Sequence, residues 1–346
     1  MSAVSCAASH ARAFVSCRAG GRNRRARRAA TSGATSSGSG ATGETASRAA
    51  AFKVVITGST KGLGLELARG FLANGDEVVV TSRDETRVRE TVDALREDFG
   101  ERVSGVAADV SRAESVDALT SFASERMGGV DIWINNAGAN GYVYENLAES
   151  DPEVLREIVL TNSFGTLLCC RSAIRLMATQ AEGGHVFNML GAGSDGGPTQ
   201  KYAAYGHTKA GMAQLTKTLA GEVKDTGNAR VGVHALSPGM VFTELISSGR
   251  YAFGSQGRFF VNTLAEPPEV PAAFLVDKVR AFVEEVGAEE SAPSDLNDLI
   301  RAARNGGGKG VASRTFEVLT PPVALKKILR RVVLGEGKDR YYPEKE

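Results

Sequence analysis

From Phe52 to Leu236 the chain repeats one pattern that few folds can absorb. Six short apolar, β-branched runs alternate with longer stretches of helical periodicity. The runs occupy residues 52–57, 77–81, 102–107, 131–135, 185–189 and 231–236. Runs that are apolar at consecutive positions suit strands buried on both faces, which a parallel sheet covered by helices provides. Between the first two runs, Gly64, Leu67, Ala68 and Phe71 share one helical face before Asn74-Gly75 stops it. Further helices are expected over 84–99, 111–127, 152–177 and 202–224. Units of this kind close right-handed, so the expected fold class is α/β, a doubly wound parallel sheet forming a single domain with a C-terminal extension. In such sheets ligands bind beyond the carboxyl ends of the strands.

Charge divides the chain unevenly. Residues 1–50 hold eight arginines, no lysine and one acid, Glu44, in a background of Ala, Ser, Thr and Gly. This composition is that of an organelle transit peptide, and the segment is set apart from the fold as a disordered leader. The other 296 residues carry a net −6, so the basic excess lies in a tail and a nucleic-acid partner is not expected. Cys6 and Cys17 lie in that tail. Cys169 and Cys170 are neighbours in an expected helix, where they diverge by about 100° and read as small buried apolar residues. Residues 51–245 are expected to form the catalytic core and 246–346 a substrate lid and C-terminal extension. Tyr251, Phe253, Phe259, Phe260 and Leu264 suggest an apolar lid, 281–313 a loop or small insertion, and 340–342 a final edge strand. Val323–Leu334 reads as a basic amphipathic helix, suited either to a membrane surface or to docking on protein.

Three clusters carry chemistry. Thr57-Gly58-Ser59-Thr60-Lys61-Gly62-Leu63-Gly64 joins the first strand to the first helix, and its glycines let a pyrophosphate approach the backbone at a helix N-terminus. The second strand ends in Ser82-Arg83, where an arginine accepts a ribose 2′-phosphate that an acid would repel. Lys61 adds a second positive charge. Tyr205 and Lys209, four residues apart, share a helical face. A cation close to a phenol favours its ionised form, so such a tyrosine can exchange a proton with a carbonyl oxygen.

The spacing TGxxxGxG, then Asn135-Asn136-Ala137-Gly138, then Tyr205-xxx-Lys209, resembles the short-chain dehydrogenase/reductase family over roughly residues 52–245. The resemblance implies a Rossmann-type fold, NADPH as cofactor, and roles for further residues. Asp109-Val110 and Asn136-Ala137-Gly138 would flank the adenine side, and Asn162 would hold a water in a proton relay. Pro238-Gly239 and Thr243 would flank the nicotinamide, with Tyr205 and Lys209 also touching the cofactor. One departure stands out: Gly191 or Ala192 falls where the family's serine belongs, and Ser194 is the nearest hydroxyl. Backbone amides or a water are the alternatives.

Residues 130–138, 183–199 (GGHVFNMLGAGSDGGPT), 202–209, 236–241 and 259–270 resemble one branch of that family, the chlorophyll(ide) b reductases of the non-yellow-colouring-like type. That resemblance implies chlorophyll b or chlorophyllide b as substrate and a chloroplast location between stroma and thylakoid surface. It also implies a peripheral thylakoid contact, and a homo-oligomer or a complex with a second chlorophyll b reductase. A plastid reductase for another carbonyl, and a non-catalytic pigment-binding or partner subunit, stay open as alternatives. No metal ligand is assigned; His185 and His207 read as core and helix-surface residues.

Overall fold

The computed structural model describes residues 51–227, 230–247, 255–291 and 312–342. The transit-peptide reading of residues 1–50 therefore lies outside the described residues, as do Tyr251 and Phe253 of the expected lid. Ala51–Glu346 is one compact unit.

Seven strands form one sheet in the order β3-β2-β1-β4-β5-β6-β7, every pairing parallel. They are β1 (Lys53–Thr57), β2 (Glu77–Thr81), β3 (Val103–Gly105), β4 (Ile132–Asn135), β5 (Gly184–Met189), β6 (Val231–Ser237) and β7 (Thr315–Glu317). The order reverses between β1 and β4, which opens a crevice at the carboxyl ends of those two strands. The all-apolar strands serve two cores because successive side chains point to opposite faces. Val54 and Ile56 pack with Leu67 and Phe71 of α1 (Gly62–Ala73), while Val55 packs with Leu119 of a helix on the other face. α2 (Glu85–Phe99) packs on the α1 face through Val88, Val92 and Leu95, while α3 (Ala113–Met127), α5 (Gly165–Met177) and α6 (Ala203–Asp225) pack on the other, with α4 (Pro152–Val159) leading into α5. After β6 come α7 (Glu244–Ser247), α8 (Ser255–Leu264), α9 (Glu269–Ser291) and α10 (Pro321–Leu334).

Four expectations need correction or refinement. The helix over 152–177 runs through as expected, but Leu160–Phe164 forms a π-helical turn within it that holds Asn162. Its side chain and the Thr166 hydroxyl, which donates to the Asn162 carbonyl at 2.8 Å, supply bonds in place of the regular ladder. Residues 281–291 belong to α9 rather than to a loop, because Phe282 and Val283 continue the buried stripe of Leu275, Val276 and Val279; residues 292–311 lie outside the described residues. Residues 340–342 are not a strand. The backbone N–H groups of Tyr341 and Tyr342 both donate to Asn262 Oδ1, and the slot beside β6 is taken by β7. Phe259 is half-buried under the Arg331 guanidinium, 5.4 Å from its ring centre, so it packs rather than lines an open lid.

α9 is clamped to the sheet by a buried ion pair between Arg280 and Asp76, whose carboxylate also accepts from Phe52 N–H at 2.9 Å. Cys169 and Cys170 are buried, and burial pushes both thiols up, Cys170 to about 12. His185 sits in the core with Nδ1 3.2 Å from His234 Nε2, and burial lowers its pKa to about 4. His207 is exposed on α6.

Candidate active site

The turn between β1 and α1 is built to stay open above its own backbone. Gly58 and Gly62 hold φ of 65° and 55°, a region that favours glycine. A Cβ on Gly64 would overlap Asn136 Nδ2 and the Gly58 carbonyl. Ser59 turns inward, its hydroxyl donating to Ile56 O at 2.6 Å and accepting from Thr81 N–H at 2.9 Å. Thr60 is half-buried, and Leu63 packs on the core. The contrast with neighbouring helices is informative. Asp84 caps α2 and Asp151 caps α4, whereas α1 has no side-chain cap and no acid in its first turn. Such a helix N-terminus suits an anion brought from outside.

Asn136-Ala137-Gly138 clasps this turn. Asn136 Nδ2 donates to Thr57 O and Gly58 O at 2.9 and 3.0 Å. The N–H groups of Asn136 and Ala137 both donate to Thr57 Oγ1. Pro238-Gly239 follows β6, with Gly239 at φ 74°, and delivers Thr243 against Gly62. The glycine-rich turn, the clasp and the Thr243 segment therefore meet at one place.

The charges expected near a 2′-phosphate are engaged by carboxylates. Arg83 Nη2 lies 3.1 Å from Glu157 Oε1, with both side chains exposed. Lys61 Nζ donates to Glu244 Oε2 at 2.6 Å and to the Tyr142 hydroxyl at 3.2 Å. Partial burial opposes its charge, but these two bonds outweigh it and raise its pKa. The Ser82 hydroxyl donates to Asp84 O at 3.3 Å. Asp109 is occupied locally, its Oδ1 accepting from Ser111 N–H and Oγ, and Val110 is buried against Gly165.

Tyr205 and Lys209 lie on the first turns of α6, beside the end of β5. Lys209 is only 4% exposed; its Nζ donates to Met189 O at 2.7 Å and stands 5.6 Å from the Tyr205 ring centre. Burial pulls its pKa down to about 8. Gly191 lies directly against the phenol: a Cβ there would stand 2.5 Å from Tyr205 OH. Ser194 folds back on Gly191, accepting its N–H at Oγ (3.0 Å) while donating its own N–H to Gly191 O (3.1 Å). Asn162 is fully buried. Its Oδ1 accepts from Ala139 N–H at 2.7 Å, and its Nδ2 donates to Ala139 O (2.8 Å) and Thr208 Oγ1 (3.0 Å). It thus ties the loop after β4 to the helical turn that carries Lys209.

The motifs did not reveal several contributors. Asn135 Nδ2 donates to Asn188 Oδ1 at 2.8 Å, and Asn188 Nδ2 donates to Thr216 Oγ1 at 3.0 Å, fixing α6 to β5 from inside. Asparagines within apolar strands were the available signal. Asn140 Nδ2 bonds the Tyr202 hydroxyl and Leu245 O. A small, open depression beside the phenol is lined by Asn140, Val143, Leu155, Ile158, Tyr202 and Tyr205. Tyr144, Tyr202 and Tyr205 follow one another at centroid distances of 5.5 and 5.6 Å. A buried cation beside a phenol at the open end of a cleft can hold and deliver a proton.

Comparisons with known proteins agree with this fold. A sequence profile of the short chain dehydrogenase family matches residues 53–251. The chloroplastic chlorophyll(ide) b reductase NOL of Arabidopsis thaliana is 44% identical over 85% of this chain and 77% of its own. Its counterpart in Oryza sativa subsp. japonica is 48% identical over 71% of each chain. Among solved structures, a 3-ketoacyl-(acyl-carrier-protein) reductase from Brucella melitensis, complexed with NADH, is 25% identical and superposes with a TM-score of 0.58. That match covers 77% of this chain and 95% of the reductase.

Proposed function

The chain belongs to the short chain dehydrogenase family, and on that premise we propose that it is an NADPH-dependent reductase acting on chlorophyll b or chlorophyllide b in the chloroplast. The reaction converts the C7 formyl group of the pigment to a 7-hydroxymethyl group. The observation that carries this reading is Tyr205 beside the buried Lys209, at the mouth of the cleft, in a chain so similar to two chlorophyll(ide) b reductases.

When bound, a nicotinamide cofactor supplies the hydride. The cradle fits its pyrophosphate: the N-terminus of α1 has no side-chain cap, and Gly58, Gly62 and Gly64 let ligand atoms come close. Thr243, next to Gly62, closes the nicotinamide side. We assign the 2′-phosphate to Arg83 and Lys61, which would exchange Glu157 and Glu244 for it. Tyr205 gives its hydroxyl proton to the aldehyde oxygen as the carbon is reduced, so the product is the neutral alcohol. Lys209, held by Met189 O, steadies the resulting phenolate. Ser194 takes the part of the family's serine: Gly191 N–H fixes its Oγ as acceptor, leaving its O–H to donate to the substrate oxygen. Asn162 acts by position, through Ala139 and Thr208.

The test is NADPH oxidation by the full chain with chlorophyll b or chlorophyllide b, with the pigments separated by chromatography. A 7-hydroxymethyl product that disappears in Tyr205→Phe supports the assignment. Retention of NADPH binding with no product from either pigment would overturn it.

A further inference from the structure

The depression beside the phenol has an end that the proposed proton transfer leaves unused. Tyr205 stands at one side of it, and Val143, Leu147, Leu155 and Ile158 supply apolar walls. Lys201 is the one cation among the residues that line it. It lies at the far end of the row of rings that runs from Tyr205 through Tyr202 to Tyr144, with Nζ 5.4 Å from the Tyr144 ring centre. Its state differs from that of the other cations of the site. Lys61 and Arg83 are paired with carboxylates, and Lys209 is bonded to Met189 O. Lys201 is exposed and forms no ion pair among the described residues, although Glu145 lines the same depression. Its backbone is held in an uncommon conformation. Its φ is 62°, in the left-handed region that side chains disfavour, and among the described non-glycine residues only Tyr142 and Asp339 share that region. The Lys201 carbonyl accepts from Glu145 N–H at 3.2 Å, and Tyr202 N–H donates to Thr199 O at 3.0 Å. These bonds pin the turn to the loop after β4 and set the lysine at the rim. Strain kept at the edge of a site points to a side chain whose placement matters.

We propose that Lys201 forms a subsite for a carboxylate of the substrate, across an apolar plate from the carbonyl that Tyr205 protonates. An ammonium resting on an aromatic ring keeps its charge while its stem is steadied, so it can pair with an anion laid along that ring. The tyrosine row and the aliphatic walls suit a flat apolar body between the two polar ends. Within the proposed pigment reduction, on which this subsite rests, the chemistry of the substrate matches. In a chlorin the formyl group and the propionate arm are attached to pyrrole rings on opposite sides of the macrocycle. The propionate is free in chlorophyllide b and esterified in chlorophyll b. Lys201 therefore favours the free acid, chlorophyllide b, over the ester.

The test compares chlorophyllide b with its methyl ester, which differ in that charge and little else, using the full chain and NADPH. The KM for the free acid should be about three- to fivefold lower than for the ester, the size of one exposed ion pair, and added salt should narrow the gap. Lys201→Met should bring the two KM values together, Lys201→Arg should keep them apart, and Lys201→Glu should reverse their order. Equal KM values in the unsubstituted chain, or a preference that survives Lys201→Met, would overturn the proposal. If neither pigment is reduced, the proposed reaction fails, and the same comparison is read from the shift of the Soret band as each pigment binds. A preference for the acid that Lys201→Met removes then supports the subsite without the reaction. Equal affinities, or binding of neither pigment, overturn the subsite as well.

Discussion

Lys209 and Lys61 lie in two parts of the proposed site, and their surroundings differ in kind. Lys209 is enclosed, bonded to a main-chain carbonyl, and burial disfavours its charge. Lys61 is exposed and already bonded to Glu244 and Tyr142, as Arg83 is to Glu157. The first arrangement exists before any ligand arrives, held by β5 and α6. The second must exchange partners on binding, so its contribution is the difference between two exposed ion pairs, which is small and salt-sensitive. Preset geometry should therefore dominate the chemistry, and exchangeable geometry should tune cofactor choice.

That contrast can be broken at several points. Tyr205→Phe removes the proton donor and should lower kcat by about 10²–10⁴ while leaving the affinity for NADPH, read by fluorescence titration, unchanged. Gly191→Ala places a methyl group 2.5 Å from the tyrosine hydroxyl and should lower kcat by roughly 10–100-fold, since displacements near 1 Å carry costs of that order. A crystal structure of that variant would show the phenol moved.

The pH dependence tests the enclosed lysine. Its pKa lies near 8, below the ordinary lysine value, because burial penalises the charge, so its proton leaves as pH rises through about 8. The rate of carbonyl reduction should fall along that limb, by about tenfold per pH unit. The residual activity of Lys209→Met should lack it. Arg83→Ala should raise KM for NADPH by about tenfold and leave KM for NADH nearly unchanged, the size of one charge-assisted bond. Glu244→Gln frees Lys61 and should lower KM for NADPH only a few-fold, an effect that added salt erases. Equal changes with NADH and NADPH in these last two variants would contradict the assignment of the phosphate end.

The sheet and most of the site were legible in the sequence because both rest on local patterns. Fully apolar strand runs mark a covered parallel sheet, and Gly58, Gly62 and Gly64 mark a turn that no other residue tolerates as well. The parts that were not legible depend on distant partners or on very short elements. β7 is three residues long, too few to show an alternation. The π turn at Leu160–Phe164 leaves the apolar spacing almost intact, so 152–177 reads as one helix. Glu244 and Glu157, which occupy Lys61 and Arg83, come from 183 and 74 residues away. Gly191 reads in sequence as a missing serine; its approach to Tyr205 shows why a larger side chain would press on the phenol.

In the proposed reaction the nicotinamide gives hydride to an aldehyde carbon while Tyr205 supplies the proton. The most direct measurement incubates the full chain with chlorophyllide b and NADPH carrying deuterium at the transferable C4 position of the nicotinamide, then weighs the pigment. A single deuterium on the new hydroxymethyl carbon is expected, and none of this product from Tyr205→Phe. A hydroxymethyl pigment without deuterium, or one formed equally well by Tyr205→Phe, would contradict it.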